Sequence, residues 1–317
     1  MLPGWRIAWP VGVAGRDGPR PADRLVITQH LRTLRLTDNL LGFYDGRVPG
    51  QAFASEPNWV DDGALQLGIC SYAVVDGGHA LVYDTHVSVE HAAVIRTAVE
   101  ELGATRITVV LSHWHLDHVA GTAAFADCEV VANTLTADLL TRHKAAIEAG
   151  THSGPPAISP LVLPTTTFEG HTHIDVGTLQ VELLQFDIHS RDATVLHLPA
   201  EGLLLAGDTV EDTVTYVSEP DGLATHLAEL RRMRGLRFDR LYPNHGDPGV
   251  IAAGGYGEPL IRGTEQYVQS LLGHAAEPRP EDADLRAFIA GPLEAGWLNY
   301  FEPYERVHRS NLDAVTG

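Results

Sequence analysis

The sequence predicts an α+β fold that ends in a helical extension. Two observations lead to this prediction. Paired β-rich segments around glycine-containing turns occupy much of the chain between residues 67 and 206, and helical spacing of apolar residues replaces them after Gly257. The chain has 317 residues, of which 44% are hydrophobic, and this is enough to form a large packed core.

Composition divides the chain into three parts. Residues 1–24 are predicted to form an irregular arm, because the stretch from residue 10 is rich in Gly, Pro, Arg and Asp. Residues 25–257 hold the predicted strands and form the core, with an insertion at about 134–167. Residues 258–317 are predicted to be a helical extension packed on that core.

The predicted elements begin with a hairpin over residues 67–86, whose Asp-Gly-Gly turn uses the ability of glycine to adopt positive φ. A helix over 90–102 follows, with Gly103 at its C-terminal cap. A continuous apolar run over 106–111 is typical of a strand that is covered on both faces. The remaining predicted elements are a helix start at 121–125, a strand at 129–132, a helix at 134–150, a hairpin at 168–186, strands at 193–198 and 202–206, and helices at 260–272, 282–289 and 304–315.

The charge of the chain limits its partners. Twenty-two basic residues against 41 acidic residues give a net charge of −19. This charge repels phosphate backbones and anionic lipid headgroups, so we expect neither a nucleic acid nor a membrane as partner. The expected partner is a small-molecule substrate, and the helical tail leaves a homodimer open.

The sequence predicts a cytoplasmic protein. The first ten residues lack a basic start followed by a long apolar run, and no segment reaches the ~18 apolar residues of a membrane helix. Two cysteines, Cys70 and Cys128, lack the spacing of a metal site or a disulfide framework, so we expect both to be buried thiols.

The segment that carries chemistry directly follows the predicted buried strand. It reads Ser-His-Trp-His-Leu-Asp-His over residues 112–118 and contains four potential metal ligands. Because residues two apart in an extended chain point the same way, His113 and His115 can share one metal ion, while Asp117 and His118 face a second. Imidazole and carboxylate ligands suit zinc and also iron or manganese. The alternative interpretation is a solvated histidine-rich loop.

Four further motifs follow the pattern of one family. They are a strand ending in Asp84, a later strand followed by His189, a Gly-Asp-Thr motif with Asp208, and an Asn-His-Gly motif with His245. Together with the His-x-His-x-Asp-His motif, they resemble the motifs of the metallo-β-lactamase superfamily and extend over about half of the chain. Position 86 departs from the family pattern, because it holds His86 where glycine is usual. The resemblance implies a four-layer αββα sandwich with a metal pair at one edge.

The resemblance also implies a ligand set for two divalent ions, with zinc as the first choice and iron or manganese as alternatives. His113, His115 and His189 would bind one ion, Asp117, His118 and His245 would bind the other, and Asp208 would bridge them. Asp84 would accept the second ring N–H of a metal-bound imidazole and so orient it. His86 would either extend that supporting set or only pack.

The function that the resemblance implies is metal-dependent hydrolysis of an ester, thioester or lactone carbonyl by a metal-bridging hydroxide, with Asp117 and Asp208 as catalytic residues. The branches that resemble glyoxalase II, lactonases and esterases fit better than true β-lactamases, which generally lack the bridging aspartate that Asp208 matches. Lactonases carry a tyrosine three residues past that aspartate, where this sequence has Glu211. A mononuclear iron persulfide dioxygenase and a β-lactam hydrolase remain alternatives.

Substrate selection is expected to lie in residues 134–167 and 257–317, the insertion and the extension. Four aromatic residues of the extension either line a pocket or dock the extension on the core, and docking is favoured: Trp297, Tyr300, Phe301 and Tyr304. A second His-x-His pair, His171 and His173, is assigned to an exposed strand face.

Overall fold

The computed structural model describes residues 27–317. The predicted arm over residues 1–24 lies outside the described residues. Two β-sheets pack face to face with helices on their outer sides, which is the four-layer sandwich that the sequence predicts.

The first sheet contains seven strands in the described part of the chain, in the spatial order β1 to β7. Their bounds are β1 Arg32–Arg35, β2 Leu40–Asp45, β3 Ile69–Asp76, β4 His79–Tyr83, β5 Arg106–Val110, β6 Glu129–Asn133 and β7 Thr166–Phe168. The pairs from β1 to β4 are antiparallel, whereas the pairs from β4 to β7 are parallel.

The second sheet has the order β12-β11-β10-β9-β8. Its strands are β8 His171–Val176, β9 Leu179–Ile188, β10 Ser190–Leu198, β11 Leu203–Gly207 and β12 Arg240–Pro243. The pairs from β8 to β11 are antiparallel, and β11 pairs with β12 in parallel. Strands β9, β11 and β12 therefore end at the same edge of this sheet.

Residue alternation along the central strands explains the layered packing. In β4, Leu81 and Tyr83 point into the core between the two sheets, whereas Ala80 and Val82 point to the outer core beneath the helices. Successive side chains of a strand point to opposite faces, so a strand that is apolar at every position is covered on both sides. This is why the continuous apolar run at 106–111 forms an interior strand of the sheet.

The helices cover both outer faces of the sandwich. Their bounds are α1 Val89–Glu101, α2 Leu116–Val119, α3 Thr134–Glu148, α4 Leu223–Arg234, α5 Pro248–Ala252, α6 Glu258–Ala276, α7 Leu285–Phe288, α8 Ala290–Glu294 and α9 Tyr304–Thr316. Helix α1 begins at Ser88, whose hydroxyl accepts the backbone N–H of His91. Helices α6 and α9 of the extension pack on the same core as the second sheet.

The structure differs from the sequence predictions at three places. The predicted helix at 282–289 is a short 3-10 turn over Pro280–Ala283 followed by α7, because the Asp284 side chain accepts the N–H of Ala287 and starts a new helix there. The β1–β2 hairpin was not predicted. Cys70 is buried as expected, but Cys128 is partly exposed beside Asp127.

Between residues 27 and 317, no helix combines the length and the apolar character that crossing a bilayer requires.

Candidate metal centre

The predicted ligands lie where neighbouring strands end, at one edge of the sandwich. Asp84 follows β4, the segment beginning at His113 follows β5, and His189 joins β9 to β10. Asp208 follows β11 and His245 follows β12. Because these strands run in the same direction within each sheet, their carboxyl ends bring residues that are distant in sequence to one edge.

The backbone adopts left-handed conformations at several of these strand ends. The φ angles are +66° at Asp84, +64° at His86 and +66° at His189, and Gly207, directly before Asp208, has φ +58°. A residue with a Cβ pays roughly 1–2 kcal/mol for this conformation. Such strain at three non-glycine positions around one cluster is typical of a functional site.

Three buried histidines converge on one point. The Nε2 atom of His113 lies 2.9 Å from Nδ1 of His115, and Nε2 of His189 lies 3.2 Å from the former and 3.0 Å from the latter. Ligand atoms around a tetrahedral zinc ion, at Zn–N distances of about 2.0–2.1 Å, are about 3.3 Å apart. The spacing of these nitrogens is therefore close to that of a three-histidine metal site.

A second group contains Asp117, His118 and His245. Oδ2 of Asp117 lies 3.2 Å from Nε2 of His245, and its Oδ1 lies 3.5 Å from Nε2 of His118. The ligand atoms of these three side chains all lie within 4.8 Å of one another. This group offers two imidazoles and one carboxylate, a combination that suits zinc, iron or manganese.

Asp208 lies between the two groups. Its Oδ2 atom is 3.1 Å from Nε2 of His118 and 3.5 Å from Nε2 of His245. The same atom is 3.7 Å from Nε2 of both His113 and His189. Oδ1 of Asp208 is buried and has no hydrogen-bond partner among the described residues. An unpaired buried carboxylate oxygen is costly, so these residues fit a bound cation pair.

Burial keeps the three-histidine group neutral. Burial lowers the pKa of His113 and of His115 well below the usual value. It also lowers the pKa of His189 to about 4. Neutral imidazole is the form that binds a metal, so these side chains are ready to bind at neutral pH.

The second group has the opposite electrostatics. Burial lowers the pKa of His118 and His245, but the neighbouring carboxylates, chiefly Asp208 and Asp117, together outweigh it and hold both values well above the usual range. Burial also opposes ionisation of Asp117, but His118 and His245 together lower the pKa of that carboxyl to about 2. Without a metal, the carboxylates are therefore balanced by protonated imidazoles, and a divalent ion would displace those protons.

Asp84 forms hydrogen bonds that orient His118 of the second group. Its Oδ1 accepts the backbone N–H of Ser112 at 2.6 Å, and its Oδ2 accepts Nδ2 of Asn244 at 2.5 Å. Oδ2 also lies 2.9 Å from Nδ1 of His118. The carboxylate can only accept, so Nδ1 of His118 carries the proton that points toward it and Nε2 faces the cluster.

Backbone carbonyls orient two further imidazoles. Nδ1 of His245 donates to the carbonyl of Gly68 at 2.7 Å, and Nδ1 of His189 donates to the carbonyl of Tyr216 at 2.9 Å. A carbonyl cannot donate, so each ring carries a proton on Nδ1 and Nε2 is the nitrogen that faces the cluster. Nε2 of His189 is therefore ready to bind a metal, whereas Nε2 of His245 binds one once its own proton has been displaced. Gly68 and Tyr216 could not be predicted from the sequence, because any residue type can supply a backbone carbonyl.

His86 is close to the cluster but packs instead of bonding to a ligand. Its ring stacks on His91 with 4.4 Å between ring centroids, and its Nδ1 accepts the backbone N–H of Val87. His171 and His173 lie on exposed positions of β8.

A cavity of about 330 Å³ opens onto the cluster. Its floor includes Asp117, His189, Asp208 and His245. Its walls come from residues 57–63, from residues 152–155 after α3, and from residues 306–310 of α9. The last two segments belong to the predicted insertion and extension, whereas the first was not predicted to contribute.

None of the four aromatic residues of the extension belongs to the described cavity lining. Tyr304 is buried, and the guanidinium of Arg47 lies over the ring of Phe301 at 4.2 Å. Arg286 lies over the ring of Tyr300 in the same way, at 3.8 Å. Their packing is consistent with docking of the extension.

Glu211, which departs from the lactonase pattern, is a buried carboxyl that lines the cavity. Burial raises the pKa of Glu211 to about 8. Its Oε2 accepts the hydroxyl of Tyr304 at 3.0 Å, and its Oε1 accepts the backbone N–H of Tyr216 at 3.0 Å. Glu211 therefore connects the loop after β11 to the first residue of α9.

Comparisons with known proteins identify related sequences. A sequence model of the metallo-beta-lactamase superfamily matches residues 66–245. Thioesterase pkgB of Emericella nidulans is 31% identical over 188 residues, which are 58% of this chain and 48% of that protein. The Beta-lactamase-like protein 2 homolog of Caenorhabditis elegans is 24% identical over 212 residues, which are 65% of this chain and 66% of that protein.

Among solved structures, a metallo-beta-lactamase from Pontibacter korlensis superimposes with a TM-score of 0.58 at 18% identity, covering 75% of this chain and 99% of that chain. This likeness concerns the fold alone. The present chain spans about half the length of the thioesterase and about two thirds of the C. elegans protein.

Proposed function

Because the chain belongs to the metallo-beta-lactamase superfamily, we propose that it is a metal-dependent hydrolase that uses two zinc ions to hydrolyse ester-type carbonyl bonds, with thioesters as the first candidates. The observation that carries this proposal is the position of Asp208. Its Oδ2 lies 3.1–3.7 Å from ligand nitrogens of both groups, as a carboxylate that bridges two ions requires.

The proposed ligands of the first ion are His113, His115 and His189, those of the second are Asp117, His118 and His245, and Asp208 is shared. Two divalent ions in these positions would supply a hydroxide nucleophile at neutral pH and positive charge for the developing oxyanion. Zinc is our first choice, with iron or manganese as alternatives.

Side chains of the protein would perform the remaining steps. Asp117 lines the cavity, so it would orient the attacking water by accepting a hydrogen bond from it. Asp84 would keep His118 in the tautomer that presents Nε2 to the site. The cavity walls include Trp59, Leu116 and Val307, which favour an apolar acyl or alcohol portion next to the scissile bond.

Two observations support a carbonyl substrate over the alternatives. The relative named as a thioesterase is the one that is 31% identical, whereas the solved metallo-beta-lactamase is 18% identical and bears on the fold alone. The iron dioxygenase alternative needs three metal ligands, but seven side chains converge here, including the bridging carboxylate. We also propose that the substrate is a small molecule, because a net charge of −19 disfavours nucleic acids and anionic lipid surfaces.

A substrate panel tests this proposal. The zinc-loaded chain is assayed with acyl thioesters, carboxylic esters, lactones, β-lactams and phosphodiesters, with the chelator-treated chain as control. We expect zinc-dependent hydrolysis of thioesters or esters at rates well above those for β-lactams. Activity confined to phosphodiesters, or oxygen consumption with persulfides by an iron-loaded chain, would contradict it.

A further inference from the structure

A further group of potential metal ligands lies outside the candidate metal centre. It consists of Asp187 at the end of β9, Glu219 in the loop before α4, and His226 in α4, and we call it the peripheral cluster. The ligand atoms of these three side chains lie within 4.8 Å of one another. The family resemblance assigns none of these positions.

Two buried atoms of the peripheral cluster make no hydrogen bond, although the side chains of Asp187 and Glu219 are 38% and 24% exposed. His226 is 2% exposed, and neither its Nε2 nor Oδ1 of Asp187 has a hydrogen-bond partner in the described part of the chain. These two atoms lie 3.4 Å apart. A charge-assisted hydrogen bond would bring them to about 2.8 Å. A buried polar atom without a hydrogen bond costs free energy, and a ligand shared by these two atoms would recover it.

The 3.4 Å between Nε2 of His226 and Oδ1 of Asp187 fits a shared cation better than a direct hydrogen bond. Ligand atoms around a tetrahedral zinc ion are about 3.3 Å apart, which follows from metal–ligand distances of about 2.0–2.2 Å. Residue 222 lies against the same nitrogen, and a Cβ there would come within 2.9 Å of Nε2 of His226. Glycine at this position therefore avoids a side chain that would crowd the nitrogen.

Arg191 is the competing partner. Its Nε lies 3.1 Å from Oε1 of Glu219, and its side chain is 43% exposed. A carboxylate has two oxygens, so Glu219 can bind a cation while keeping Arg191, or the exposed arginine can move into solvent. The positive charge of Arg191 should weaken the binding of a cation without preventing it.

We propose that the peripheral cluster binds a third divalent cation of the zinc class, more weakly than the two ions of the candidate centre. One imidazole and two carboxylates are ligands that zinc accepts, and the remaining position would be filled by water. The two carboxylates and one arginine leave the unoccupied cluster with a net charge of −1, which favours a cation. This proposal does not depend on the reaction catalysed.

An ion at the peripheral cluster would also hold the segment that orients His189. The Ser218 hydroxyl donates to the backbone carbonyl of His189, and the Tyr216 carbonyl accepts the Nδ1–H of the same histidine. Glu219 directly follows Ser218 in the chain. Binding there would therefore join β9, this segment and α4 in one rigid unit.

Zinc titration of the full-length chain tests the proposal. The chelator-treated protein is titrated with zinc in a calorimeter, and thermal unfolding is followed at each equivalent. For the natural chain we expect two tight equivalents and a third at least tenfold weaker, with a further rise in Tm as the third binds. His226→Gln and Asp187→Asn should lose only the third equivalent and its Tm rise. Arg191→Gln should tighten the third equivalent several-fold, because a competing charge is removed.

A matched control is His274→Gln. His274 is a buried helical histidine whose Nδ1 already lies 2.8 Å from Oδ2 of Asp282, so this variant should keep all three equivalents. Saturation of the natural chain at two equivalents would overturn the proposal. Persistence of the third equivalent in both His226→Gln and Asp187→Asn would also overturn it, since the ion would then bind elsewhere.

Discussion

Oδ2 of Asp84 lies 2.9 Å from Nδ1 of His118, and this contact orients an imidazole of the candidate centre. Both oxygens of Asp84 accept donors, so an asparagine there would direct its NH₂ group at one of them. Asp84→Asn should therefore reduce zinc affinity at the second ion about 10–100-fold, with a similar loss of activity at limiting zinc. Competition with a chromophoric chelator measures the affinity.

The control for this variant is Asp45→Asn. Asp45 is equally buried and its Oδ2 lies 3.0 Å from Nε2 of His91, but this pair touches no proposed metal ligand. Asp45→Asn should lower stability and leave zinc affinity unchanged. Equal zinc affinities in Asp84→Asn and the natural chain would show that Asp84 does not orient His118.

The cavity wall formed by α9 provides a test of substrate binding. Ser310 lines the cavity and Arg309 beside it is exposed. Ser310→Phe should fill part of the roughly 330 Å³ cavity and reduce kcat/KM at least tenfold for esters with a long acyl chain, more than for acetyl esters. Arg309→Phe is the control on the same helix and should change neither value. Equal losses for long and short acyl chains would argue against this wall as a binding surface.

The contact between Tyr304 and Glu211 links the extension to the candidate centre. The Tyr304 hydroxyl donates to Oε2 of Glu211 at 3.0 Å, and both groups are buried. Tyr304→Phe leaves that oxygen without its partner, so the free energy of unfolding should fall by about 1–3 kcal/mol. Tyr300→Phe removes a hydroxyl that pairs with the more exposed Glu305, so it should cost less than half as much. Urea unfolding compares the two, and equal losses would contradict the assignment.

Asp192 predicts a specific pH dependence of stability. It is fully buried and accepts the backbone N–H of Trp114, and burial raises the pKa of its carboxyl from 3.8 to about 6. The folded state therefore binds this proton more tightly than the unfolded state. The resulting stabilisation is present below about pH 4 and is lost as pH rises through about 6. A shift of roughly 2 pKa units corresponds to about 3 kcal/mol.

Asp192→Asn should remove this contribution. Urea unfolding of both metal-free proteins measures this contribution. The unfolding free energy of Asp192→Asn minus that of the natural chain should increase from pH 4 to pH 7. Asp175→Asn, at an exposed position of β8, is the control and should show the pH dependence of the natural chain. If the unfolding free energies of Asp192→Asn and the natural chain depended on pH in the same way, the raised pKa of Asp192 would be refuted.

The proposed ligands could be predicted because each stands in a short local motif at the end of a strand. Four of the ligands lie within six consecutive residues, 113–118. Asp208 stands in a Gly-Asp-Thr motif that follows an apolar strand. The supporting contacts were harder to predict. Gly68 and Tyr216 act through backbone carbonyls, so their residue types give no indication of the role.

Features that depend on distant segments were also missed. Tyr304 and Glu211 are 93 residues apart in the chain and meet only after the extension has docked. Trp59 reaches the cavity through a short π-helical segment, Val60–Leu65, whose sequence has no clear helical or strand period. His86 could not be placed from sequence, because its stacking on His91 depends on the left-handed turn after β4.

Metal content in the natural chain and in Asp208→Ala tests the central claim most directly. Each protein is loaded with zinc, dialysed against metal-free buffer to remove the weaker ion proposed for the peripheral cluster, and analysed for metals alongside ester and thioester hydrolysis. We expect about two zinc ions per natural chain, fewer than two in Asp208→Ala, and no hydrolysis by that variant although it remains folded. Two retained zinc ions with unchanged turnover in Asp208→Ala, or a single iron ion in the natural chain purified without added metal, would contradict the dinuclear centre.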